Sequence, residues 1–253
     1  MYQFPALANT VHAAFTRLGG RSQSPWYGLN LSQAVGDETR AVETNFKLAC
    51  QALAVNPERT AACHLVHGNV VQVVEDVAGP YRLGVADGLI TRVPGLTLTM
   101  RFGDCVPLLF YDHRIQAVGL AHAGWRGTLK NVAGAVVEAM TAHFGSRPSD
   151  ITAVIGPSIG PCCYQVGREV LEAAQQQLEQ AIQYFNLLGP DCYFDLWRVN
   201  ESQARQTGVK EVIVSRLCTA CRTDEFFSHR AEKGSTGRFG VFLGLPIQEE
   251  GAE

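Results

Sequence analysis

Apolar and polar positions divide the chain into runs that are apolar throughout and segments that carry a single apolar stripe. Residues 97–102 and 106–111 form two such runs, and residues 116–121 form a third after a polar break at residues 112–114. Near-continuous apolar runs of this length suit strands covered on both faces, and the break at 112–114 reads as a hairpin-like reversal. Residues 11–16 are a short strand. The Gly-, Ser- and Asn-rich stretch that follows, 17–32, is a long loop, for which a functional role and a surface connector are both open. Asp37 is the expected N-cap of a helix that places Val42, Phe46, Ala49 and Leu53 at helical spacing. Val70, Val71, Val73 and Val74 favour a strand just after His67–Gly68. Residues 80–88 are expected as a loop carrying Asp87.

From Thr128 a helix with one apolar face is expected: Leu129, Val132, Ala133, Val136, Val137, Met140 and Phe144 share it. A strand at 151–155 runs into a Gly- and Pro-punctuated loop, GPSIGPCCYQVG. Helices are expected over about 168–184 and about 196–207, the latter ended by Gly208. A strand at 212–214, an irregular segment at 218–233, a last strand at 239–245 and a frayed acidic tail at 248–253 complete the chain. Strands and helices are interleaved without strict alternation, and no P-loop or strand-linked G-x-G-x-x-G is present. The pattern therefore points to an α+β or layered architecture with mixed sheets rather than a dinucleotide-binding fold.

Composition narrows the function. A chain of 253 residues fits one large domain or two small ones. Hydrophobic residues make up 46% and charged residues 18%, enough for a substantial core and unlike a disordered chain. The net charge of −3 argues against a nucleic-acid partner. No apolar run reaches membrane-spanning length, so no membrane partner is expected. The first residues lack a basic region followed by an apolar core, and the eight cysteines therefore read as reduced thiols of a cytoplasmic protein. Oligomeric state leaves no signature in the sequence.

The candidate chemistry rests on His67, Cys105 and His122, each at a strand end beside a turn former. If residues 112–114 reverse the chain, Cys105 and His122 return to one region of space. Two imidazoles and a thiolate match the borderline softness of zinc, and three protein ligands leave a fourth position open, the catalytic pattern. His64 competes with His67 but would face the other side of a strand; His67, next to Gly68, is preferred. Cys105 and His122 are alternatively a nucleophile–base pair of a cysteine hydrolase. A third alternative is a zinc-stabilised domain that binds another protein. Cys218-x-x-Cys221 and Cys162–Cys163 could form a metal or redox group, or be buried free thiols. Arg17, Arg126 and Arg230 lie in loops, and their planar forks suit phosphate; Arg126 is four residues from His122.

Taken in order, FTRLGGRSQSPWYGLNLS, HLVHGNVV, ADGLIT, GDCVPLLFYD, AHAGWRGT, IGPSIGPCCYQVG, DLWRVN, CTACRTDEFFSHR and TGRFG resemble the laccase-domain family, also called polyphenol oxidase or zinc-dependent purine nucleoside phosphorylase. The resemblance spans about residues 15–245. It implies a single catalytic domain over residues 1–253, an α/β/β/α layered sandwich, and one zinc per chain on His67, Cys105 and His122. It further implies phosphorolysis of adenosine, inosine, guanosine and methylthioadenosine, with deamination of adenosine, so that nucleoside and phosphate are the partners. Arg126 would then bind phosphate, with Arg17, Arg230 and Asn30 as further substrate contacts. Family members are also described as copper-dependent phenol oxidases or as enzymes acting on peptidoglycan precursors. A multicopper oxidase holds its metals through many imidazoles, commonly paired as H-x-H, whereas this chain has seven histidines and no such pair. Copper is therefore expected only as an adventitious substitute. The family commonly has Ala where Gly103 stands here.

Overall fold

The computed structural model describes residues 1–76 and 81–247. Pro80 and the tail expected from residue 248 lie outside them. The chain opens with β1 (Val11–Ala14), crosses the long loop, and forms helix α1 (Thr39–Ala52). Strands β2 (Thr60–His64), β3 (Val71–Val73), β4 (Tyr81–Val85), β5 (Gly88–Thr91) and β6 (Thr97–Phe102) follow. Then come β7 (Val106–Asp112) and β8 (Ala117–Ala123), helices α2 (Trp125–Leu129) and α3 (Val132–Phe144), and β9 (Ile151–Ile155). The last part holds β10 (Gln165–Val166), α4 (Arg168–Gln177), β11 (Phe185–Leu188), β12 (Asp191–Phe194), α5 (Leu196–Gln206), β13 (Glu211–Val214) and β14 (Phe239–Gly244).

Two mixed sheets stack face to face. One has the order β1-β14-β6-β2-β4 and the other β13-β9-β7-β8-β5-β3. Because strand side chains alternate, each strand of the stack feeds two cores. In β7, Leu109 and Tyr111 meet Leu98, Met100, Val241 and Leu243 between the sheets, while Leu108 and Phe110 meet Val136 and Met140 of α3 outside. On the opposite outer face, Phe15 and Phe242 pack with Ala49 and Cys50 of α1. The layers therefore run helix, sheet, sheet, helix, the sandwich implied by the family resemblance. Every residue of β7 and β8 is buried, which is why both read as continuous apolar runs.

Several elements differ from the sequence reading. The helix expected from Thr128 is broken: Asn131 takes a left-handed conformation at φ 58° and its Oδ1 accepts the Gly134 N–H, so α2 ends and α3 starts anew. The helix expected to reach residue 184 stops at Gln177, and Gln180 is also left-handed. Residues 81–85, expected as loop, are strand β4, held parallel to β2. Glu38 rather than Asp37 is the N-cap position of α1, because the Asp37 carboxylate is engaged by Ser22 and Asn30. The long loop 17–32 is pinned by Asn45, whose side-chain amide donates to Ser22 Oγ and to the carbonyls of Gly28 and Asn30.

Candidate metal centre

The β7–β8 hairpin builds the centre. The reversal is stabilised by Asp112, whose Oδ1 accepts the N–H groups of Arg114 and Ile115. Its register pairs Val106 with Ala123 and Pro107 with His122. Cys105, one residue before β7, therefore comes to rest beside Gly124, one residue after β8. His122 points between the two sheets, with its ring 5.5 Å from that of Phe102. The third residue arrives from the other sheet. After β2 the chain bends through His67, which takes φ 59°, a region that non-glycine residues enter rarely. The ligand atoms of His67, Cys105 and His122 all lie within 4.8 Å of one another. His64 is exposed at the end of β2 and is not in the group.

Asp87, which the sequence reading left unassigned, organises this group. It is fully buried on the bend between β4 and β5. Its carboxylate accepts the backbone N–H groups of Val66, His67 and Gly68. This holds His67 in its left-handed bend. Asp87 Oδ1 also lies 3.0 Å from His122 Nδ1, and the Asp87 carbonyl accepts the His122 N–H. An ionised carboxylate only accepts, so a proton sits on His122 Nδ1, which leaves Nε2 as the nitrogen a metal would take in place of its proton. Burial pushes the Asp87 acid up, but the His122 hydrogen bond and charge and the Gly68 and Val66 N–H donors outweigh it and hold it below its usual range.

Charges in the centre are coupled. Burial pushes the Cys105 thiol up, yet the His122 imidazolium and then the His67 ring overcome this and bring it down to about 6. Burial likewise pushes His122 down, while the Cys105 thiolate and Asp87 raise it to about 9. Gly124 is the closest fit in the site. A Cβ there would stand 2.6 Å from His67 Cδ2 and 3.1 Å from Cys105 Sγ. The residues fit zinc: two imidazoles and a thiolate supply donors at spacings compatible with the roughly 3.5 Å edges of a tetrahedron with ordinary zinc bond lengths.

A cleft of about 100 Å³ opens onto His67 and Cys105, walled by Asp104, Trp125, Arg126, Ile159, Tyr164 and Leu196. Arg126 is exposed on this wall, stacked 4.1 Å over the Trp125 ring. Burial, and then the negative charge at Cys105, push the Tyr164 hydroxyl well above its ordinary range, so it stays protonated. Asp104 ties the surrounding loops together, accepting from Thr219 Oγ1 and from the Arg230 N–H. Arg230 lies over Tyr164 with 5.2 Å between guanidinium and ring, just outside the residues that line the cleft, and its guanidinium donates to the Gln165 carbonyl. Two expected substrate contacts are elsewhere. Arg17 is paired with Glu232 and stacked on Phe227, outside the cleft lining. Asn30 is fully buried, and its amide is consumed by Ser32, Asp37 and Arg238. Gly103 makes room for Arg238, whose Cδ would stand 2.8 Å from an added Cβ.

Residues 11–246 match the family model described as multi-copper polyphenol oxidoreductase laccase. The chain belongs to this family. A relative in Geobacillus stearothermophilus, purine nucleoside phosphorylase YlmD, is 37% identical over 95% of this chain and 92% of its own length. A Bacillus subtilis protein of the same name is 36% identical over 93% of this chain and 88% of its own. The solved structure of YlmD from Geobacillus stearothermophilus superposes with a TM-score of 0.91 at 35% identity, covering 96% of this chain and 94% of that one. Among the described residues no helix is long and apolar enough to cross a membrane.

Proposed function

We propose that this member of the family is a zinc-dependent purine nucleoside phosphorylase acting on adenosine, inosine, guanosine and methylthioadenosine, with deamination of adenosine as a side activity. The observation that carries the reading is an open His–His–Cys centre with an arginine on the same cleft wall that forms no ion pair among the described residues. The names of the relatives support it. Bound at this centre, zinc would serve as a Lewis acid at its open position.

The chain's own residues account for the rest. Phosphorolysis joins a phosphate oxygen to C1′ of the ribose and breaks the bond from C1′ to the purine nitrogen. The purine departs with the electron pair and must gain a proton or a hydrogen bond. Arg126, held flat by Trp125, presents a planar fork to phosphate. The protonated Tyr164 hydroxyl is the donor available to the departing base. A cleft of about 100 Å³ is smaller than ordinary ligand pockets, so only the reacting groups enter and the remainder of the nucleoside lies across the rim near Arg230.

The test is release of free base from adenosine on protein of measured metal content. Base and ribose-1-phosphate should appear only with phosphate. Arg126→Ala should raise the phosphate KM, or lower kcat, by about 10- to 100-fold, a few kcal/mol of lost charge-assisted hydrogen bonding. Unchanged kinetics in this variant would remove Arg126 from the site. A second reading is favoured by one observation: Cys105, His122 and Asp87 are ordered as nucleophile, base and orienting acid. That hydrolase would keep its activity after chelation, whereas the phosphorylase would lose it and regain it with zinc.

A further inference from the structure

Four of the seven cysteines outside this site form a group of their own. Cys162 and Cys163 come from the loop after β9, and Cys218 and Cys221 from the segment after β13. Their four sulfurs all lie within 4.8 Å of one another. Cys221 Sγ is 3.5 Å from Cys162 Sγ and 3.3 Å from Cys163 Sγ. We infer that these four cysteines bind a second, structural zinc ion that staples the loop after β9, whose Ile159 and Tyr164 wall the cleft, to the segment after β13.

Three observations favour a metal over free thiols or a disulfide. A tetrahedral zinc with sulfur ligands at about 2.3 Å separates its sulfurs by about 3.8 Å, within the spread seen here. A disulfide would use two sulfurs and leave two more crowded against it, and Cys221 is equally near two partners. The loops are also shaped to offer thiolates. The N–H groups of Cys163 and Tyr164 both donate to the Gly160 carbonyl, turning the chain so that adjacent cysteines face one centre. Across from them, Cys218 Sγ accepts the Gly160 N–H at 3.3 Å. A backbone N–H aimed at a buried sulfur is a partner for a thiolate, and four soft thiolates in a tetrahedral set select zinc over harder divalent ions. The turn itself is confined by Trp197, whose ring would stand 2.6 Å from a Cβ at Gly160.

The staple has a direct line to the cleft. Tyr164 follows Cys163, and Thr219, one residue after Cys218, donates to the Asp104 carboxylate beside Cys105. Four sulfur ligands leave no open coordination position, so the ion holds walls in place and takes no part in chemistry. It should be retained when the His67–Cys105–His122 centre is destroyed.

Cys105→Ala protein, prepared under reducing conditions with zinc, is expected to hold one zinc per chain. X-ray absorption at the zinc edge should show a shell of four sulfurs at about 2.3 Å and no nitrogen. In the Cys162→Ser, Cys221→Ser double variant of the otherwise native chain, that all-sulfur zinc should be lost while the zinc on His67, Cys105 and His122 stays. Both substituted residues are exposed, and the retained ion reports that the variant is folded. Cys105→Ala protein without zinc, with iron instead, with nitrogen in the shell, or with a Cys163–Cys221 disulfide in its mass spectrum would overturn the inference.

Discussion

At the scale of single residues, Asp87 bears more of the site than any proposed ligand does, since one carboxylate fixes two of the three. Asp87→Asn should keep the fold yet replace an obligate acceptor by an amide that also donates. His122 would lose its enforced tautomer and His67 one of the anchors of its strained bend. Zinc affinity is expected to fall about 10- to 100-fold, read by competition with a chromophoric chelator. Gly124→Ala tests the same geometry from the opposite side. Its methyl group would occupy space now held by His67 Cδ2 and Cys105 Sγ, so zinc affinity should fall at least as far, with a thermal midpoint little changed in the metal-free protein. Unaltered zinc binding in both variants would contradict the arrangement. The grouping of His67, Cys105 and His122 was legible in the sequence because strand ends beside turn formers and the family resemblance both pointed to these three. Asp87 was not: a lone Asp before Gly looks like any turn, and its role depends on three N–H groups about twenty residues away. Asn30 was misread for the converse reason, since a polar residue in a Gly-rich loop looks available until its partners are known.

At the scale of elements, long apolar runs were legible and short paired segments were not. Strands β6, β7, β8 and β9 and helices α1 and α5 stood out because each buries a whole face. Strands β10 to β12 form a separate three-stranded sheet in which only Phe185 and Phe194 are buried, so no apolar period marks them. The α2–α3 break escaped notice because the apolar stripe continues through Asn131 while the backbone does not. The segment before β1 offers a prediction of its own. His12 on β1 is buried, stacks on Phe4, and takes the Phe4 N–H on Nε2, with Nδ1 against Thr10 Oγ1. The Thr10 hydroxyl already donates to Leu7, so the ring must be neutral with its proton on Nδ1. Burial lowers its pKa from 6.5, partly offset by the backbone contacts. The unfolded chain therefore takes up a proton before the folded one does. Stability from this group is complete above pH 6.5 and declines as pH falls from 6.5 toward the lower folded value, by at most about 1.4 kcal/mol per pH unit. His12→Phe should flatten the fall of the thermal midpoint across that window. An identical slope in the variant would show that His12 does not titrate there.

At the scale of the whole molecule, the metal centre exists only where the two sheets meet. The hairpin of one sheet supplies Cys105 and His122, and the loop leaving β2 of the other supplies His67. Anything that unseats one sheet from the other removes the site. The last strand is the most exposed to this argument. Strand β14 does not sit at an edge but is inserted between β1 and β6, antiparallel to both. Its Phe239, Val241 and Leu243 fill the space between the sheets and Phe242 fills the core under α1. Without it β1 has no strand neighbour among the described residues, the N–H and C=O groups along β6 lose one full row of partners, and four large apolar side chains leave two cores. Losing a single such side chain costs about 2–5 kcal/mol, and a domain's whole stability is about 5–15 kcal/mol. A chain ending at Arg238 is therefore expected to show no cooperative unfolding and no stoichiometric zinc, although it retains every proposed ligand. A chain ending at Ile247, which keeps every described strand, is expected to melt cooperatively and to bind zinc stoichiometrically. Circular dichroism melts and zinc titration of the two truncations decide it, and a cooperative transition with bound zinc in the shorter chain would mean that the two sheets hold the centre without β14.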